Sequence, residues 1–197
     1  MSREGFVLAG GRSSRMGRDK ALIEIQGIRL VDRAAEAVAA AAGSATLIGD
    51  PGKYGGLGYP VHPDIFTGCG PLAGIHAALG VSRSDWNLIL ACDMPEVEFA
   101  FLIQLLERAE QGGNDCLLPA GESGRPEPLC GVYHRRILPA VRRALEHGVR
   151  KVLDGLAEVQ MEVFRVSGPG PFSNINTPED WSEYTRAQTN KTRDGGI

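Results

Sequence analysis

The chain has 197 residues, 43% of them hydrophobic and 23% charged, which is a globular composition, and we expect one domain over residues 1–187 followed by a frayed tail at 188–197. The formal net charge of −3 argues against a surface that binds nucleic acid or membranes nonspecifically, and it favours a small-molecule ligand. Because the sequence has neither a run of about 18 apolar residues nor the apolar region of a signal peptide, we expect a cytoplasmic protein.

The first half of the chain alternates short apolar runs with an amphipathic one. Residues 5–9, which Gly10-Gly11 follows, predict a strand that is buried on both faces. Residues 30–42 predict a helix, because their apolar positions have helical spacing and Gly43 stands where a helix would end. The next predicted elements are a strand at 45–48, a loop at 50–58 and a short strand at 60–62.

The second half continues this alternation. Helices are predicted at 70–79, 99–109, 136–146, 151–157 and 178–185, and strands at 86–92, 115–119, 129–133 and 161–166. Repeated alternation of strand and helix predicts an α/β fold, with a mainly parallel sheet and helices on both faces. Ligands of such sheets bind beyond the carboxyl ends of the strands.

The four cysteines, at positions 69, 92, 116 and 130, are far apart and form no Cys-x-x-Cys pair. This spacing favours buried, reduced thiols over a disulfide or a metal site. The four histidines are equally scattered and show no metal-ligand spacing.

Residues 8–20, Leu-Ala-Gly-Gly-Arg-Ser-Ser-Arg-Met-Gly-Arg-Asp-Lys, combine three glycines with four cationic side chains and one aspartate. Glycines let backbone N–H groups approach phosphate oxygens, and Arg and Lys neutralise the charge of a triphosphate. The spacing matches neither a dinucleotide-binding fingerprint nor a Walker A loop. We therefore predict a distinct triphosphate-binding loop. The alternative is a tight turn at Gly10-Gly11 with solvated basic side chains.

Asp93 follows the most strongly predicted strand, 86–92, and would lie at the same edge of the sheet. A carboxylate there would face the bound phosphates, and Mg²⁺ typically binds one or two carboxylates together with substrate phosphates. The alternative role is the N-cap of a helix that begins near Pro95 or Glu96.

Further motifs follow the first loop: Gly-Pro-Leu-Ala-Gly at 70–74, Cys-Asp-Met-Pro at 92–95 and Asn-Ile-Asn-Thr-Pro-Glu-Asp at 174–180. Together with residues 8–20 they resemble the molybdenum cofactor guanylyltransferase family, and they extend over nearly the whole chain. The first loop alone is typical only of the nucleotidyltransferase superfamily. Gly10-Gly11 is more similar to the guanylyl branch than to the cytidylyl branch, in which the dipeptide is usually Ala-Gly.

The resemblance implies a three-layer, Rossmann-like nucleotidyltransferase fold. It also implies transfer of GMP from Mg-GTP to the terminal phosphate of molybdenum-bound molybdopterin, with release of pyrophosphate, and transient contact with proteins that insert or accept the cofactor. In-line attack by an anionic phosphate needs no strong general base, so positioning and charge neutralisation dominate. Arg15 and Lys20 would stabilise the leaving pyrophosphate, and Asp93 would hold the Mg²⁺ cofactor.

The nucleotide contacts that the resemblance implies are Leu8, Ala9, Gly10, Gly11, Lys20, Asp64 and Asp93. The Asp64 carboxylate would accept from guanine N1–H and N2–H₂ or from ribose hydroxyls; the alternative is a turn-forming aspartate after Pro63. Family members often have an asparagine after the second strand, but this chain has Gly49 and Asp50. The resemblance therefore does not extend to a base contact from that segment.

Arg125, Asn174 and Asn176 are the residues that the resemblance places near the pterin, with Arg125 meeting its phosphate. Thr177 followed by Pro178 would also suit a helix N-cap, and asparagines are common in turns. Two other kinds of function are compatible with the sequence. One is a different transfer reaction, either cytidylyl transfer to the same pterin or nucleotidyl transfer to a sugar phosphate. The other is a non-enzymatic nucleotide-binding or cofactor-carrier module. The presence of Arg15, Lys20 and Asp93 favours an enzyme over the last of these.

Overall fold

Strands and helices alternate along the computed structural model, which describes residues 2–10, 19–168, 171–172, 175, 180–181, 184 and 186. The strands are β1 (Arg3–Leu8), β2 (Glu24–Ile25), β3 (Ile28–Arg29), β4 (Thr46–Ile48), β5 (Val61–His62), β6 (Trp86–Ala91), β7 (Cys116–Ala120), β8 (Cys130–His134) and β9 (Met161–Arg165). The α-helices are α1 (Leu30–Ala42), α2 (Pro51–Tyr54), α3 (Pro71–Val81), α4 (Phe99–Gln111), α5 (Leu138–Glu146) and α6 (Val152–Gly155).

Seven strands form one sheet in the order β5-β4-β1-β6-β8-β7-β9. β1 pairs in parallel with β4 and β6, and β4 pairs in parallel with β5. β8 is antiparallel to β6 and β7, and β9 is parallel to β7. The predicted mainly parallel sheet is confirmed, with one reversed strand. The reversal follows from the connection between β7 and β8, which is a loop without the crossover helix that parallel neighbours need.

Helices cover both faces of the sheet, as expected. Successive side chains of a strand point to opposite faces, so Val7 of β1 packs in one core with α1 and α4, whereas Phe6 and Leu8 pack in a second core with α3, α5 and α6. All residues of β6 are buried. The three-layer Rossmann-like arrangement of the predicted fold is confirmed.

Helix α1 matches its predicted bounds and fixes the strand that precedes the glycine-rich loop. It ends at Gly43, whose φ of 82° lies in the left-handed region that glycine adopts without strain. The helix also packs closely on β1, because a Cβ atom at Gly5 would lie only 2.2 Å from Cγ1 of Val38. Glycine at this position of the strand therefore lets α1 approach the sheet.

The region predicted as a loop at 50–58 is different in the structure. It contains α2 and a 3-10 turn at Gly55–Leu57. Asp50 is the N-cap of α2, and its Oδ1 accepts from the backbone N of Gly52 at 2.8 Å. Proline occupies the first position of the helix. The hairpin of β2 and β3 was also not predicted, because strands of two residues carry no periodicity.

The predicted final helix, 178–185, lies largely outside the described residues; the positions described there, 180, 181 and 184, are helical. The predicted tail at 188–197 lies wholly outside them. Cys92, Cys116 and Cys130 are buried and Cys69 is half-buried, and all four are free thiols. None of the helices in the described part of the chain is long and apolar enough to cross a membrane.

Candidate active site

The ends of four neighbouring strands are aligned at one edge of the sheet. Leu8 is paired with Ile48 on one side and with Ala91 on the other, and Ile48 is paired with His62. The residues two positions beyond these strand ends are Gly10, Asp50, Asp64 and Asp93. The carboxyl edge of the sheet, where ligands of α/β proteins bind, therefore collects several of the predicted site residues.

Lys20 and Asp93 form a salt bridge at this edge, although 73 positions separate them. Nζ of Lys20 donates to Oδ2 of Asp93 at 2.6 Å, and the two side chains are only 17% and 19% exposed. Water screens such a pair less than it screens a surface ion pair. The structure thus brings together two of the three predicted catalytic residues.

The other carboxylate oxygen of Asp93, Oδ1, is buried and has no hydrogen-bond partner within the described part of the chain. An unpaired buried oxygen is unfavourable unless a ligand or a cation satisfies it. Helix α4 has Glu98 as its N-cap, so the alternative role of Asp93 as a helix cap is excluded. Asp93 instead presents an oxygen of the type that binds hard divalent cations.

An N-cap on the turn that begins at Lys20 fixes the backbone of this residue. It is the first residue of a 3-10 turn, Lys20–Leu22, and Asp19 Oδ1 accepts from the backbone N of Ala21 at 3.2 Å. The Asp19 carboxylate also contacts Nζ of Lys53 and the hydroxyl of Tyr54. This role of Asp19 was not predicted from the sequence. The available signal was an aspartate, a good N-cap residue, directly before a short helical turn.

Leu8 and Ala9 are buried at the end of β1 and fix the start of the loop. The carbonyl of Leu8 accepts from Cys92 N at 3.2 Å, and Ala9 N donates to the carbonyl of Ile48 at 2.9 Å. Gly10 is exposed, and a Cβ atom there would come no closer than 3.9 Å to its neighbours. Packing against the described residues therefore does not require glycine at position 10. The nucleotide contacts of these three residues stay predictions.

Asp64 is half-buried just beyond β5, and burial raises the pKa of its carboxyl group. The turn that follows is closed by a hydrogen bond from Cys69 N to the carbonyl of Phe66, so Asp64 does not initiate it. Its nucleotide contact stays a prediction. In the segment after β4, Gly49 has no side chain and Oδ1 of Asp50 accepts from the backbone N of Gly52 at the start of α2.

A cleft of about 1000 Å³ lies between the loop that precedes β8 and the start of α6. Arg125, predicted to meet the pterin phosphate, is exposed on the loop and lines this cleft. Glu127 lines it too, and burial, together with the nearby charge of Asp93, raises the pKa of Glu127. The backbone N of Ala91, two residues before Asp93, donates to the carbonyl of Leu129, which also lines the cleft, so the cleft lies beside the end of β6 that carries Asp93.

Arg150 and Lys151 contribute two exposed cations to the opposite wall of the cleft. Neither was predicted as a site residue from the sequence, because they directly precede a four-residue helix and belong to no recognisable motif. The carboxylates of the cleft are Glu122, Glu127 and Asp154. This mixture of charges suits a ligand that carries both phosphate oxygens and N–H donors.

Gly11, Arg15, Asn174 and Asn176 lie outside the described residues, so their roles stay predictions. Ile175, between the two asparagines, is described: its backbone N donates to the carbonyl of Asp93 at 3.1 Å, and its side chain is buried. The backbone of the predicted pterin segment therefore reaches Asp93.

The fold has three layers, with a lysine and an aspartate paired at the carboxyl edge of its sheet beside a large cleft. These features define a nucleotidyltransferase of the α/β class. Comparison with known proteins gives the family. The pattern of the MobA-like NTP transferase domain matches residues 5–161, and the chain belongs to this family.

Relatives cover almost the whole chain. A probable molybdenum cofactor guanylyltransferase from Flavobacterium johnsoniae is 33% identical over 90% of this chain and 94% of its own length. One from Deinococcus radiodurans is 37% identical over 91% of this chain and 92% of its own. The crystal structure of molybdopterin-guanine dinucleotide biosynthesis protein A from Archaeoglobus fulgidus superposes with a TM-score of 0.79 at 27% identity, covering 94% of this chain and 98% of that one.

Proposed function

We propose that the protein transfers GMP from Mg-GTP to the terminal phosphate of molybdenum-bound molybdopterin and releases pyrophosphate. The observation that carries this proposal is the shielded Lys20–Asp93 pair at the carboxyl edge of the sheet, next to a cleft of about 1000 Å³. The choice of substrates is supported by the names of the relatives from Flavobacterium johnsoniae and Deinococcus radiodurans.

In this reaction a phosphate oxygen of the acceptor attacks the α-phosphorus of GTP, and the bond between the α-phosphorus and the bridging oxygen to the β-phosphate breaks. The attacking oxygen is already anionic, so the protein does not need to remove a proton. Its residues act by orienting the two phosphates and neutralising their charge. Lys20 is suited to the leaving pyrophosphate, because its ammonium group is held at the carboxyl edge from which the predicted phosphate loop extends.

Asp93 is the residue that would hold Mg²⁺. The buried Oδ1, which has no hydrogen-bond partner among the described residues, fits a hard cation. No group of three or more acidic, histidine or cysteine side chains in the same part of the chain could hold a metal alone. This agrees with the usual Mg²⁺ site, which takes its remaining ligands from phosphates and water. When bound, Mg²⁺ would neutralise charge on the triphosphate. Lys20 Nζ donates to Oδ2 and so orients the Asp93 carboxylate for this task.

The proposal is tested by incubating the purified protein with Mg²⁺, molybdenum-molybdopterin and one labelled nucleoside triphosphate at a time. GTP should give the pterin guanine dinucleotide and one pyrophosphate per product. Turnover with CTP in place of GTP would replace this function by cytidylyl transfer. Binding of GTP without release of pyrophosphate would instead indicate a nucleotide-binding module.

The Asp64 carboxylate is proposed to accept hydrogen bonds from the guanine base. Substitution of Asp64 distinguishes this base contact from a ribose contact. Guanine presents two donors, N1–H and N2–H₂, that suit a carboxylate, whereas adenine presents one donor and one acceptor that suit an amide. We expect Asp64→Asn to lower kcat/KM for GTP about tenfold and to raise the ratio of ATP to GTP turnover. Equal losses with both nucleotides would indicate ribose contact, and an unchanged ratio with full activity would exclude Asp64 from the nucleotide site.

Arg125 and Lys151 are proposed to bind the acceptor from opposite walls of the cleft. Each alanine substitution should raise KM for molybdenum-molybdopterin about tenfold, since each removes one charge-assisted hydrogen bond to phosphate. The Kd for GTP, measured by calorimetry without acceptor, should not change. Arg143→Ala, which removes an exposed cation outside this cleft, is the matched control. A weaker GTP affinity in either variant would assign that residue to the nucleotide instead.

A further inference from the structure

Tyr54, the last residue of α2, connects the two segments that flank the glycine-rich residues 10–18. Its hydroxyl lies 2.7 Å from the carbonyl oxygen of Ala9 and 3.0 Å from each carboxylate oxygen of Asp19. Ala9 directly precedes residues 10–18 and Asp19 directly follows them. A hydroxyl has one hydrogen to donate, so these acceptors on two separate segments share it.

The position of Tyr54 is fixed by the segment that follows β4. The side chain is buried, with 2% exposure, and a Cβ atom at Gly49 would lie 2.7 Å from Cε2 of its ring. Only glycine at position 49 therefore lets the ring pack this close to the backbone. Asp50 caps the helix that carries Tyr54. The hydroxyl is consequently held by rigid neighbours.

Asp19 links Tyr54 to the turn that contains Lys20. Its carboxylate accepts from Tyr54 and caps the turn in which Lys20 is the first residue, and Lys20 then reaches Asp93 at 2.6 Å. We infer that Tyr54 is a positioning residue of the transfer reaction, which acts through Asp19 to hold Lys20 opposite Asp93. This inference rests on the proposed function, since Lys20 is there the group that meets the leaving pyrophosphate.

A purely structural role would not need the hydroxyl, because phenylalanine fills nearly the same volume. Tyr54→Phe keeps the ring against Gly49 and leaves the Ala9 carbonyl and the Asp19 carboxylate facing each other without a shared hydrogen. We expect kcat to fall about tenfold and KM for GTP to change less than about threefold, because Lys20 acts mainly on charge that develops in the transition state. Tyr59→Phe, which alters a half-buried tyrosine away from this cluster, should retain wild-type kinetics.

A double-mutant cycle with Asp19→Ala tests the route through Asp19. If Tyr54 acts through Asp19, adding Tyr54→Phe to Asp19→Ala should lower kcat by no more than about twofold further. Asp19→Asn, which still caps the turn and still accepts from Tyr54, should restore most of the activity that Asp19→Ala loses. Independent, multiplicative losses in the cycle would overturn the inference.

A second readout does not depend on catalysis. Lys20 is shielded against Asp93, so it should be acetylated slowly, and peptide mass spectrometry should show about tenfold faster acetylation of Lys20 in Tyr54→Phe, relative to Lys151 as internal reference. Unchanged Lys20 reactivity, or a Tyr54→Phe variant that unfolds at lower temperature but keeps wild-type kcat, would overturn the inference. An inactive wild-type protein would contradict the proposed function alone, since the acetylation result would still decide the role of Tyr54.

Discussion

Lys20→Ala is expected to lower kcat by about a hundredfold or more, which corresponds to about 3 kcal/mol of transition-state stabilisation. The Lys20 side chain is only 17% exposed, and its ammonium nitrogen lies 2.6 Å from Oδ2 of Asp93. Its removal takes away the positive charge that would meet the leaving pyrophosphate, and it leaves a shielded carboxylate without its partner. The measurement is the rate of pyrophosphate release at saturating GTP and molybdenum-molybdopterin.

The matched control for Lys20 is Arg142→Ala, which removes a cation of the exposed Arg142–Glu146 pair on α5. Arg142 should be dispensable, because exposed pairs of this kind contribute little to stability. A Lys20→Ala enzyme with near-wild-type kcat would remove Lys20 from the mechanism.

Asp93→Ala is expected to have an effect of the same size, about a hundredfold or more in kcat. The substitution removes both the buried Oδ1 that would take Mg²⁺ and the counterion of Lys20. Asp93→Asn keeps the volume and one carbonyl oxygen but loses the charge, so it should require a higher Mg²⁺ concentration for half-maximal activity. Titration of Mg²⁺ at fixed GTP measures this change directly.

Asp85 provides the control for Asp93, since it precedes β6 whereas Asp93 lies beyond the other end of that strand. Asp85→Asn should leave both kcat and the Mg²⁺ requirement unchanged. If Asp93→Asn lowered kcat without any change in the Mg²⁺ requirement, Asp93 would act on Lys20 alone and the assignment as metal ligand would be wrong.

Much of the fold is predictable from the sequence because its signals are local. The apolar run of β6, the helical spacing of α1 and the glycine at its end each specify their element within a few residues. The regular alternation of such elements then predicts a mainly parallel sheet, and a parallel sheet predicts where the site lies. Lys20 and Asp93 were selected on this basis, and they meet in the structure.

Other features depend on which segments become neighbours. The reversed direction of β8 follows from how β7 connects to it, and the short pairing of β2 with β3 has no periodic signal. The cations of the cleft, Arg150 and Lys151, face Arg125 only because α6 packs beside the loop that precedes β8. None of these relations appears in a local pattern.

The sequence by itself determined the class of fold and the choice of Lys20 and Asp93, since these depend on local apolar patterns and on short motifs. Only the tertiary structure decided how those residues are held. Asp93 is no helix cap, one of its oxygens has no hydrogen-bond partner among the residues that the structure describes, and Tyr54 connects Ala9 with Asp19. The physical reason is that burial and hydrogen-bond partners depend on contacts between segments far apart in the chain, which no local pattern of side chains specifies.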